Sequence, residues 1–155
     1  MPESGSDVFV LAFAGTDSIV DVVVDLAQVG GGTPPQYVQA ITLAGVAQRA
    51  ARSRLHLAGH SLGGGLAAYC SSILRCPAST INPAPLIGAA TYSALFENNS
   101  QITNYVAQHG EIVSSSPGSN PGRRVGVPTT GGSLGFFTDH MISNVAPSIP
   151  LPVKI

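Results

Sequence analysis

Charge is scarce in this sequence: only 10% of its 155 residues are Asp, Glu, Lys or Arg, and the formal net charge is -1. Five of the seven cations are Arg49, Arg52, Arg54, Arg123 and Arg124. They read as solvated edges, and so small a basic complement excludes the broad positive field that nucleic acid binding needs. Cysteine is nearly absent too. Cys70 and Cys76 stand six apart, which is neither a metal-ligand spacing nor a disulfide framework, so both are expected as buried free thiols. No apolar run reaches the ~18 residues of a membrane-spanning helix, and the opening "MPESGSD" has neither the basic nor the apolar part of a signal peptide. The chain is expected to be soluble, in the cytoplasm or exported without a visible signal peptide. What is abundant is apolar and small polar residue: 44% of the chain is hydrophobic. A chain of this length suits a single domain, residues 1–155, burying roughly 70% of the surface its unfolded form exposes.

Strand-like and helix-like patterns alternate along the chain. "DVFVLAFAG", 7–15, is a nearly continuous apolar run, the pattern of a strand buried on both faces of a parallel sheet. Residues 18–29 mix β-branched residues with polar ones at helical spacing and read as a helix. Pro34 and Pro35 suit the first turn of a helix running to about Arg52, where a missing amide donor costs nothing. "SRLHLAGH", 53–60, returns as a strand, a helix follows from Leu62 to about Leu74, and 78–85 is a short strand ended by prolines. Residues 102–108 make another strand. From His109 to Gly135 the Gly, Pro and Ser content predicts a surface path, then a short helix near 138–146. The alternation implies βαβ units and a mainly parallel sheet of about five strands covered by helices, with the site at the carboxyl ends of the strands.

One turn carries chemistry. In "HLAGHSLGGGLAAY", 56–69, Ser61 lies in a G-x-S-x-G pattern between a strand and a helix. A neutral serine is a poor nucleophile, so it needs a base within reach and a backbone that lifts its oxygen clear of the sheet. Gly59 and Gly63 clear the space for so sharp a turn, Gly64 and Gly65 let the helix approach the sheet, and the Leu62 amide can donate to an oxyanion. The bland alternative is a glycine-rich turn with an idle serine. The base and its acid are expected after the serine, acid first. Only His109 and His140 follow, with Glu97, Glu111 and Asp139 as acids. Asp139 adjoins His140, and neighbouring side chains usually point apart; Glu97 reads as an exposed helix-end carboxylate. Elimination leaves Ser61, Glu111 and His140 as the candidate triad. His56 reads as a satisfied core or edge residue, and His60 as part of the turn itself. The second oxyanion donor is expected from "FAGTDS", 13–18, at Thr16, with Asp25 as the acceptor that fixes its hydroxyl.

"GHSLGGGLA" together with "VLAFAGTDSIVDVVVDL" resembles the class 3, fungal-type lipases, serine esterases of α/β-hydrolase fold. The resemblance implies a minimal α/β-hydrolase, supports Thr16 held by Asp25, and is similar around 102–118 and 138–142 to the family segments bearing the triad acid and histidine. Ala14 stands where the family usually has Arg, and Glu111 where it usually has Asp. The short path from Asp25 to Pro34 leaves no room for a lid helix, so interfacial activation is not expected. The expected activity is hydrolysis of lipid or other acyl esters through an acyl-enzyme, with no metal or organic cofactor and transient contact with a lipid surface. Phospholipase, thioesterase or acyl transferase chemistry with the same triad, or a non-catalytic binding module, are the alternatives. Leu86, Ile87, Phe136 and Phe137 are candidates for an acyl-chain wall or, equally, for core packing.

Overall fold

The computed structural model describes residues 7–15, 33–88, 99–108, 113–115, 118, 120–129 and 140–149. Its elements are β1 (Phe9–Phe13), α1 (Pro35–Ala51), β2 (Leu55–His60), α2 (Leu62–Leu74), β3 (Ala78–Ile81), β4 (Ile102–Ala107), β5 (Arg123–Val127) and α3 (Ile142–Val145). The five strands form one sheet in the order β1-β2-β3-β4-β5, every neighbouring pair parallel. The molecule is thus a small α/β fold. The expected helix over 18–29 lies outside the described residues.

Sequential strand order decides where the helices go. A crossover between parallel strands is right-handed in nearly all proteins, so crossovers that keep stepping in one direction place their helices on one face. Both α1 and α2 lie on that face. Their core includes Tyr37, Leu66, Leu57, Ile102 and Leu86, and Tyr37 meets Tyr69 edge to face at 5.1 Å. The strand burial shows the same thing: Leu55, Leu57, Ala78, Thr80 and Ile102 are buried while their alternate neighbours are half-buried. Among the described residues, the opposite face carries α3 and the turn after it, where Val145 and Ile149 pack on Ala107, Val127 and Tyr105. Beside them a cleft of about 750 Å³ runs along the sheet past Val10, His56, Ile81 and Tyr105 to His60 and Gly15.

Two expectations are corrected. β1 is not buried on both faces; it is an edge strand, with Phe9 and Val10 49% and 62% exposed. Arg54 shields part of it by lying over the Phe9 ring at 5.0 Å. The stretch after His109 does not only wander, because "RRVGV" closes the sheet as β5. It sits at the other edge with Arg123 and Arg124 exposed, so it never needed the apolar pattern of an inner strand.

Several local expectations hold. Pro35 opens α1, which ends at Ala51, and α2 ends where Arg75 takes the left-handed conformation (φ 59°) and donates its N–H to the Ser71 carbonyl. Gln48 reaches from α1 to bond the Leu74 carbonyl at 2.7 Å, satisfying another acceptor at that helix end. Cys70 and Cys76 are buried free thiols, and burial pushes the Cys70 pKa up to about 12. No helix among the described residues is long and apolar enough to cross a membrane.

Candidate functional site

β2 runs into α2 through a single residue, Ser61, at φ 56° and ψ -125°. An L-residue at positive φ is strained, and the neighbours show what makes so abrupt a turn possible. A Cβ on Gly59 would strike the main chain of Gly63 and Gly64, and one on Gly63 would strike the Phe13 and Ala14 main chain. Glycine at these two positions is therefore a condition of bringing the start of α2 against β1 and β2. Gly65 likewise packs close to Ala84, where an added Cβ would lie 2.7 Å from the carbonyl oxygen.

The chain after β3 then brackets the turn. Ser61 donates its N–H to the Ile81 carbonyl at 3.1 Å, and its own carbonyl accepts from Ala84 at 2.8 Å and from Gly65 at 3.1 Å. Enclosed in this way, Ser61 is only 1% exposed. This corrects the expectation of an oxygen lifted clear into the open. Its Oγ is buried, caps no helix N–H, and has no hydrogen-bond partner among the described residues. An enclosed hydroxyl without a partner costs stability, as groups kept for chemistry often do. Leu62 is the first residue of α2, where helix N–H groups lack an intrahelical acceptor and the helix dipole is positive.

His140 comes to this turn from 79 residues further along the chain. It is 1% exposed, and its ring lies against that of His60 with centroids 4.8 Å apart. His60 Nε2 donates to the His140 carbonyl at 2.7 Å; since a carbonyl only accepts, the partner assigns the proton to that nitrogen. Asn82 Nδ2 donates to the same carbonyl at 3.1 Å. Two residues whose part was not legible in sequence, His60 and Asn82, thus connect His140 to the serine turn. Asn82 sits in "INPAP" at φ 40°, completely buried; the one signal available in the sequence was an asparagine, a residue type that tolerates positive φ, between a strand and a proline.

Other candidates resolve differently. His56 bonds Ser79 through Nε2 at 3.1 Å on the face away from the helices, and burial holds its imidazole below the usual histidine range. Leu86 is fully buried in the main core, which settles it as packing instead of an acyl-chain wall. Thr16, Asp25, Glu97, His109, Glu111, Phe136, Phe137 and Asp139 lie outside the described residues. Among the described residues no cluster of His, Cys, Asp or Glu has the makings of a metal site.

The carboxyl end of the parallel sheet, the usual ligand edge of such sheets, thus carries a strained, enclosed serine at the start of a helix, and His140 is held there by its bonds to His60 and Asn82. A stretch of 76 residues is 43% identical to an extracellular phospholipase A1 of Serratia liquefaciens; it covers 49% of this chain and 24% of that protein. The match therefore spans about a quarter of the length of this curated relative. Residues 2–136 match the family described as the Tle-like phospholipase domain. With most of its length inside that match, the chain belongs to the Tle-like phospholipase domain family.

Proposed function

We propose that this protein is a serine ester hydrolase acting on the acyl esters of phospholipids. The observation that carries the reading is Ser61 itself, held at φ 56° between β2 and α2 with its hydroxyl enclosed, next in sequence to His60, whose ring lies against that of the buried His140. In this reading Ser61 Oγ attacks the ester carbonyl while His140 accepts the hydroxyl proton. The tetrahedral intermediate expels the alcohol, to which His140 returns the proton, leaving an acyl-enzyme. Water then attacks the acyl-enzyme with His140 again as base, the bond from the acyl carbon to Ser61 Oγ breaks, His140 returns the proton to Oγ, and the fatty acid departs. Leu62 and Thr16 amides hold the oxyanion, Asp25 fixes the Thr16 hydroxyl, and Glu111 orients the imidazole. No cofactor takes part.

Lipid esters are supported by the family match, and the phospholipid class by both the family and the relative. Phospholipids therefore stand ahead of triacylglycerols in this reading. The fold class, a parallel α/β sheet with the serine turn at its carboxyl edge, is compatible with the α/β-hydrolase architecture that the motifs resemble. The test is the products from vesicles of phosphatidylcholine. Equal amounts of fatty acid and lysophospholipid, lost in Ser61→Ala, support the reading. Release of a phosphorylated head group, or hydrolysis that survives Ser61→Ala, overturns it.

A further inference from the structure

We propose that Asn82 and His60 act together as a clamp on the main-chain carbonyl of His140, and that their function is to position the His140 imidazole for Ser61. The proposal rests on the reading of His140 as the base. His140 immediately precedes Met141 and the four-residue helix α3. A helix that short has little stability of its own, so tertiary contacts must fix where the histidine stands. The carbonyl of His140 receives two donors, His60 Nε2 at 2.7 Å and Asn82 Nδ2 at 3.1 Å, which occupies both its lone pairs.

Neither donor is free to drift. Asn82 is fully buried, its Oδ1 accepts the Ala107 N–H at 2.9 Å, and its own N–H bonds the Tyr105 carbonyl at 2.8 Å. Flipping the amide would break both side-chain bonds, so the clamp is referenced to the ends of β3 and β4. His60 is the last residue of β2 and the residue before Ser61. One short turn therefore carries the hydroxyl and one of the two donors that hold the base. A shift of the turn moves Ser61 and His140 together, which preserves their mutual geometry. These are positioning residues: both bond the main-chain carbonyl of the base, and the His60 ring also lies against its imidazole.

The test is a set of double-mutant cycles with turnover of p-nitrophenyl butyrate as the readout. His60→Leu removes one donor, His60→Gln places an amide N–H near the position of Nε2, and Asn82→Gly keeps the positive φ while removing the other donor. Misplacing a catalytic group by about 1 Å costs roughly a hundredfold, so His60→Leu and Asn82→Gly should each lower kcat roughly tenfold to a hundredfold with KM within about twofold. His60→Gln should recover most of the loss of His60→Leu. In a His140→Ala background the same substitutions should change the residual rate by less than about twofold, because there is no longer an imidazole to position. Equal losses in both backgrounds, or no loss in the parent, would overturn the clamp while leaving the base in place. Parental turnover in His140→Ala alone would instead overturn the base assignment, and the clamp with it.

Discussion

A serine that is buried and strained, with a hydroxyl that has no hydrogen-bond partner among the described residues, should be the place where this protein gives up stability. Ser61→Ala is therefore expected to leave the thermal midpoint unchanged or raise it. Ser61→Gly, which accepts φ 56° without a Cβ, should exceed Ser61→Ala by about 1 kcal/mol in urea unfolding. A large loss of stability in both would mean that the hydroxyl has a structural role. The sharp turn at Ser61 was legible because the glycines on either side have few other uses; the burial of the serine was not, since enclosure comes from Ile81 and Ala84, in a segment whose register no local pattern reveals. His140 was reached by elimination, and its fixing by Asn82 and His60 only by geometry. The proposed acid is tested by substitution: Glu111→Gln should lower kcat by several powers of ten by favouring the wrong imidazole tautomer, whereas Glu97→Gln should do little. The reverse pattern would assign the acid to Glu97.

Among the elements, α2 was the most legible, because a glycine-rich start and a stop before Cys76 and Pro77 bound it at both ends. β5 escaped because an edge strand with two arginines and a glycine lacks the apolar alternation by which strands are recognised. β1 was legible as a strand but not in its exposure; apolarity alone does not distinguish an inner strand from an edge whose phenylalanine is shielded by Arg54. Two glycines separate close packing from mere helix composition. Gly59→Ala would drive a Cβ into the main chain of the first turn of α2, with no side chain able to give way, and is expected to cost roughly 3 kcal/mol or more. Gly45→Ala, in α1, meets only Arg49 Nη1 at 3.7 Å and should stabilise by up to about 1 kcal/mol through helix propensity. Urea denaturation of both variants checks the contrast; similar effects would refute the close approach at Gly59.

At the scale of the whole molecule, sequential strand order concentrates the core on one face, and the titrating groups inside that core set the alkaline limit of the fold. Burial pushes Cys70 from 9.0 to about 12 and Tyr37 from 10.0 to about 12, so folded and unfolded chains bind different numbers of protons above pH 9. There the unfolded chain holds fewer protons, and stability must fall as pH rises from about 9 towards 12. Cys70→Ala should flatten that slope in unfolding free energies measured between pH 8 and 11; an unchanged slope would mean that the thiol is not protected by the core. The central claim, that Ser61 is the nucleophile of a lipid-ester hydrolase, is tested most directly by the mass of the intact protein after exposure to a fluorophosphonate, followed by mapping of the modified peptide. One adduct per chain, on Ser61 and accompanied by loss of phospholipid hydrolysis, is the predicted result. No adduct on an actively hydrolysing protein, or an adduct on another residue that abolishes hydrolysis, would contradict it.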